Sequence, residues 1–177
     1  MIKGVFTANL FTIIAVLGLV PAFGQQNGIP ENLRVPAGNR LFLHVYAKGV
    51  QIYRCEQNRN DTNSYTWIFV APAADLFTDA NYKTFAGKHY AGPVWELSDS
   101  SKVIGKKLQQ TDPADSNAIP WLLLSASSGS GSGALSSTTF IQRVNTKGGK
   151  PGPIPADKAH AGSRIEVPYT AEYLFYR

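Results

Sequence analysis

Apolar residues alternate with polar ones along most of this chain, and Gly, Pro, Ser or Asn cut the alternation every few residues. A period of two is the mark of a strand with one face against a core and the other in water. The pattern predicts strands over residues 40–47, 50–55, 65–71, 83–85, 94–97, 102–108, 121–126, 138–144, 164–167 and 169–176. Lys48-Gly49 reads as the turn between the first two, and residues 72–81 have room for one short helical turn. In the second run, Val50, Ile52 and Arg54 share one face and Gln51, Tyr53 and Cys55 the other. Residues 121–126 are apolar throughout, which suits a strand buried on both faces.

Three polar segments separate these runs. Residues 56–64 form a polar loop with the glycosylation acceptor pattern Asn60-Asp61-Thr62. Residues 127–137 are Ser/Gly-rich and read as a flexible loop. Residues 147–162 form a long Pro/Gly loop. No internal repeat, heptad or second domain boundary is visible. The expected fold is all-β: a single-domain antiparallel β-sandwich or barrel with long loops and little helix.

The N-terminus changes the picture of where this domain works. Residues 1–24 read as a signal peptide: Lys3, then an apolar run over 10–20, then Ala22-Phe-Gly24 at the cleavage position. That run is shorter than the about 20 residues a membrane span needs. Residues 25–177 are then one domain, exported to the periplasm or secreted, with no transmembrane segment in the mature chain.

Charge and composition exclude more than they assign. The net charge is +5, but the basic residues are scattered and Lys106-Lys107 is their one adjacent pair. No basic stripe is interleaved with aromatics, so nucleic acid is not an expected partner. Cys55 is the sole cysteine and reads as a small buried hydrophobe. The glycines match no dinucleotide or phosphate-loop spacing, so no cofactor is expected. His44, His89 and His160 lack zinc-ligand spacing, so no metal is expected either.

Candidate chemistry sits in two stretches. In His89-Tyr90-Ala-Gly92-Pro93-Val-Trp95-Glu96, His89 is a weak candidate acid or base, with Glu96 or Asp99 to orient it. Read structurally, Gly92-Pro93 is a tight turn, Trp95 fills the core and His89 is a hydrogen-bonded fixture. In Phe140-Ile-Gln-Arg-Val-Asn145, Phe140, Gln142 and Val144 share one face and Ile141, Arg143 and Asn145 the other. Gln142 amid apolar neighbours demands a partner, and Gln51 is a candidate for it. Trp95, Tyr90, His89, Gln51, Gln142 and Arg143 together suit a polar small molecule or a glycan. A ligand-binding or surface-interaction module is the leading reading. A structural envelope or matrix domain and a hydrolase-like enzyme using His89 are the alternatives.

The ordered blocks Val35-Pro-Ala-Gly38, Ala47-Lys-Gly-Val-Gln-Ile-Tyr-Arg-Cys55, Trp67 with Ala71-Pro72-Ala73, His89-Tyr-Ala-Gly-Pro-Val-Trp-Glu96, Ile119-Pro-Trp-Leu-Leu-Leu124, Ile141-Gln-Arg-Val-Asn-Thr146 and Val167-Pro-Tyr169 resemble DUF3455, a family of secreted bacterial and fungal proteins. The likeness spans about residues 29–177. It implies export and a single domain, and it carries no activity. A malate dehydrogenase label borne by some fungal members has no counterpart here, since no dinucleotide fingerprint is present. The family's usual cysteine after the Gly-Gly is replaced by Lys150-Pro-Gly-Pro-Ile-Pro155, which leaves Cys55 free. The family's Asp-Gly-Ser turn is Asp99-Ser100-Ser101 here, which implies that the turn does not need a positive φ at its centre.

Overall fold

The computed structural model describes residues 28–130 and 132–177. The expected signal at residues 1–24 lies outside the described residues. Eight strands form one antiparallel sheet: β1 (Leu41–Gln57), β2 (Tyr65–Phe77), β3 (Phe85–Tyr90), β4 (Val94–Leu97), β5 (Lys102–Thr111), β6 (Trp121–Ser130), β7 (Phe140–Gly148) and β8 (Arg164–Tyr176). Each pairs with the next, and β8 returns to β1, so the sheet closes into a ring. Short 3-10 turns at Glu31–Leu33, Ala134–Ser137 and Lys158–His160 are the helical elements among the described residues. The all-β expectation therefore holds.

The strands are longer than the local pattern implies. Lys48-Gly49 is not a turn but the middle of β1, where Gly49 faces Ala74 of β2 and Tyr169 of β8. A Cβ at Gly49 would collide with Ala73 O and the Ala74 Cα, so glycine is there to let β2 approach. β2 likewise runs through Pro72 instead of turning into a helix. Its pairing with β3 begins at Ala74, so residues 65–73 have a strand neighbour on one side and Pro72 withholds no donor from a second ladder. Pro168 lies one residue past the last β7 pair, Gly148–Tyr169, and is accommodated in β8 in the same way.

The Ser/Gly segment is more ordered than its composition suggests. β6 pairs with β5 as far as Ser130, opposite Lys102. Beyond it the Ala134–Ser137 turn buries Leu135, and the β4–β5 turn holds it. The Asp99 carboxylate accepts from the Ala134 N–H at 2.8 Å, and the Ser101 hydroxyl accepts from the Leu135 N–H at 3.1 Å. Asp99 also accepts from the Ser101 N–H and hydroxyl. These bonds hold the β4–β5 turn so tightly that Ser100 sits at φ 65, against the expectation of an ordinary backbone there. A non-glycine residue in that region carries strain of about 1–2 kcal/mol.

Two apolar layers result. Inside the ring, Val45, Ala47, Leu76, Trp95, Val103, Leu124, Ile141, Tyr173 and Phe175 pack together. Outside it, the N-terminal segment carries Leu33 and Val35 onto Leu123 and Tyr176. β6 contributes Leu124 to the inner layer and Leu123 to the outer one, as its unbroken apolar run requires.

Two substitutions test these local causes, each read as a change in urea-denaturation midpoint. Gly49→Ala forces β2 away from β1 and should destabilise the fold by about 3 kcal/mol. Ser100→Gly relieves the strained turn and should stabilise by roughly 0.5–1 kcal/mol. A neutral result at Gly49 would remove the close-approach argument, and a loss at Ser100 would remove the strain argument.

Candidate functional site

The ring interior is not uniformly apolar. β8 places Tyr169, Ala171, Tyr173 and Phe175 inward at every second residue. Tyr173 faces Val45 of β1 on one side and Arg143 of β7 on the other. β1 adds Gln51 and Tyr53, and β3 and β4 add the opposed pair His89 and Trp95. The three rings of His89, Trp95 and Tyr173 form one cluster. His89 stacks on Trp95 at 4.3 Å between centroids and 11°, and Tyr173 meets both edge-on at 5.1 and 5.2 Å.

His89 is fixed in one tautomer. Its Nδ1 lies 2.9 Å from Val94 O, and a carbonyl can only accept, so Nδ1 carries the proton. Nε2 is then an acceptor. Burial drives the His89 pKa down to about 3; the bond to Val94 O opposes this, and the nearby Arg143 charge reinforces it. The imidazole is therefore neutral at any physiological pH.

Next to this cluster, Tyr169, Tyr173, Gln51, Tyr53 and Arg143 converge. A Cβ on Gly149 would come within 2.9–3.2 Å of Ile119, Tyr169 and Gln51, so the backbone at Gly149 forms the floor beneath Gln51 and Tyr169. The Tyr53 hydroxyl donates to Gly149 O at 2.7 Å. Arg143 is half-buried and donates from Nε to Pro120 O at 3.0 Å. Burial raises the pKa of Tyr53, Tyr169 and Tyr173, and the Arg143 charge opposes the rise in all three. Tyr169 and Tyr173 lie near enough to each other, to Gln51 and to Arg143 to affect one another's ionisation. Yet the Tyr169 and Tyr173 hydroxyls, the Gln51 Nε2 and the Trp95 Nε1 are buried without a well-formed hydrogen bond. The contacts among them are loose approaches. A buried polar atom without a partner costs about 1–3 kcal/mol, so such atoms gathered in one place need an explanation.

Of the residues singled out in the sequence, His89, Trp95, Gln51 and Arg143 thus meet inside the ring. Gln142 does not. Its amide donates to Leu33 O at 2.6 Å and accepts from the Tyr176 hydroxyl at 2.7 Å, which fastens the N-terminal segment to the outer face. Gln51 points inward and is not the partner that Gln142 was expected to find. Tyr90 and Glu96 lie on the outside too, joined by a 2.7 Å hydrogen bond with Lys102 3.2 Å from the same carboxylate. The Tyr90 hydroxyl and Lys102 hold Glu96 below the usual carboxylate range. Asp99 caps the Ala134 turn, and its bonds to Ser101 and to that turn lower its pKa. Neither acid orients His89. His44 and His160 pair with Glu172 and Asp157, away from the interior cluster. Sequence reasoning missed Tyr169 and Tyr173. Their period-two spacing with Ala171 and Phe175 was the available signal: two hydroxyls on a face that alternation assigns to the core.

The His89 pKa sets a pH dependence with a definite sign. The folded value of about 3 lies below the unfolded value of 6.5, so the unfolded chain takes up a proton first. Stability is full above pH 6.5 and falls between pH 6.5 and 3, with a limiting slope of about 1.4 kcal/mol per pH unit. The difference in unfolding free energy between wild type and His89→Leu should carry this slope. Nitrogen-15 spectra should show a protonated Nδ1 that does not titrate from pH 8 to 5; a midpoint near 6.5 would refute the buried neutral imidazole.

A family model described as "Protein of unknown function (DUF3455)" matches residues 36–177. No curated protein and no solved structure matches the chain. The matched residues take in all eight strands and every interior polar group described above. The chain belongs to the DUF3455 family.

Proposed function

We propose that this protein is an exported binding module that takes a small polar molecule into the interior of its ring. One observation carries the reading: the Tyr169 and Tyr173 hydroxyls and the Gln51 Nε2 are buried without a well-formed hydrogen bond beside the half-buried guanidinium of Arg143. Purely structural polar groups would be expected to satisfy one another, as Gln142, Leu33 and Tyr176 do on the outer face. Groups kept for a ligand are satisfied when it arrives.

The geometry favours a small molecule over a glycan laid on an aromatic platform. Trp95 is buried between His89 and Tyr173 and offers no open face to a sugar ring. It gives the enzyme reading less support. His89 is a poor base with a pKa of about 3, and no carboxylate lies beside it to orient it. Export rests on the apolar run at residues 10–20 followed by Ala22-Phe-Gly24.

Tyr173→Phe separates a ligand site from a structural core. Removing an unpartnered buried hydroxyl should raise the stability of the ligand-free protein by about 1 kcal/mol. The same variant should lose most of the thermal shift produced by whichever member of a small-metabolite panel binds wild type. Hits should perturb the amide resonances of Ile119, Gly149 and Tyr169. A panel without any hit, or hits that map to the outer surface around Phe69 and Phe85, would overturn the reading.

A further inference from the structure

The interior site offers an incoming molecule mainly donors. Arg143 and the Gln51 Nε2 can only donate, and the Tyr169 and Tyr173 hydroxyls, which can donate as well as accept, have no well-formed bond of their own. The sole uncommitted nitrogen acceptor nearby is His89 Nε2. A neutral polyol could use the tyrosine oxygens and His89 Nε2 as acceptors but would leave the Arg143 charge unmet. An oxyanion brings acceptors alone.

Charge points the same way. The chain has 12 Asp and Glu residues, all described, and none is buried. The ion pairs of the described residues involve His44, Arg54, Lys88, Lys102, Lys150 and His160, and Arg143 has no carboxylate partner. A half-buried guanidinium normally finds a carboxylate or phosphate, for which its planar fork is suited. His89, held neutral with its proton turned toward Val94 O, adds no second positive charge. The site therefore carries one uncompensated positive charge.

We propose that the ligand of the ring interior is a small oxyanion, a molecule bearing a carboxylate or phosphate group. Its charge is met by Arg143, and its oxygens accept from the Tyr169 and Tyr173 hydroxyls and the Gln51 amide. This rests on the reading of the interior as a binding site and adds the chemical class. The Tyr169–Tyr173–Gln51 face is stereochemically rigid, since it rises from paired strands on either side of β8.

The test is thermal shift and calorimetric titration at low ionic strength with acetate, succinate, citrate and inorganic phosphate, and with glycerol and glucose as neutral probes. At least one anion should stabilise wild type, with the carboxylate and phosphate arms showing which group the site takes. Arg143→Gln should weaken that anion about tenfold or more, Arg143→Lys should restore part of the loss, and Tyr169→Phe should weaken it about tenfold through one lost donor. Lys107→Gln, on the exposed face of β5, should leave affinity unchanged. Should Arg143→Gln fail to fold, Tyr169→Phe carries the test by itself. Stabilisation by glycerol or glucose without any by the anions would overturn the anion assignment and leave the binding reading intact. No effect from any probe or from a wider metabolite panel would overturn both. Anion binding that survives Arg143→Gln and Tyr169→Phe but falls with Lys107→Gln would mark surface attraction and overturn the assignment.

Discussion

The pairing of the last strand with the first is the constraint on which everything else depends. β1 is 17 residues long and has strands on both sides, β2 along one edge and β8 along the other. The clasp extends past the strand ends: Arg40 and Arg177 exchange two backbone hydrogen bonds of 2.8 and 3.1 Å. Because the partners lie at opposite ends of the chain, this contact is entropically the most demanding to form, and a fold built on it belongs to the slower class. Once it forms, β8 lies between β7 and β1 from Tyr169 to Tyr176, and every second side chain of that stretch faces the interior. The site is thus a consequence of closure. Tyr173 reaches Arg143 and His89 because the sheet curls round to bring β7, β8, β1 and β3 about one axis.

The chain solves the same problem twice, in opposite ways. Gln142 and Gln51 are both almost wholly buried glutamines on strands. Gln142 spends its amide on Leu33 O and on Tyr176, and through them locks the N-terminal segment over the outer layer. Gln51 faces the interior with its Nε2 unanswered. Burial and residue type are identical, so neither explains the difference. What differs is the neighbour set: a fixed carbonyl and a hydroxyl in one case, an arginine and two loose tyrosines in the other. A fully satisfied polar group specifies a fold, whereas an unsatisfied one is a standing cost that packing elsewhere must offset.

Much of this was legible in the order of residues, and the parts that were not share a cause. That Gln51, Tyr53 and Cys55 share a face followed directly from alternation, and the two-sided burial of the Leu122-Leu-Leu124 run followed from its unbroken apolar composition. Gly49, Pro72 and residues 127–130 were misread because local rules assign Gly, Pro and Ser to turns. Here each sits where a neighbouring strand comes close, or where no neighbour asks for a donor, and that is decided by residues far away in sequence. Ser100 misled in the other direction: a serine in place of glycine suggested an easy backbone, yet the bonds of Asp99 to the Ala134 turn impose φ 65. Of the polar and aromatic groups that converge inside the ring, His89, Trp95, Gln51 and Arg143 were singled out by their chemistry, while Tyr169 and Tyr173 passed as core aromatics. Alternation predicts which face a tyrosine joins. It says nothing on whether its hydroxyl will find a partner there, because that depends on closure of the ring.

The stacked pair His89 and Trp95 shows how the fold keeps this interior from collapsing into a self-satisfied network. A charged imidazolium beside Arg143 would repel it, and a mobile neutral one could turn Nδ1–H toward a tyrosine hydroxyl. The bond to Val94 O removes the second option, burial removes the first, and stacking on Trp95 holds the ring plane. Tyr173 is then packed edge-on against rings that offer its hydroxyl no well-formed bond, and its polar neighbours are Tyr169 and the Arg143 guanidinium, which can only donate. The hydroxyls can turn their lone pairs toward Arg143, and Tyr169 and Tyr173 lie near enough to influence each other. The pair therefore fixes the surroundings of Tyr173 without adding a charge to them.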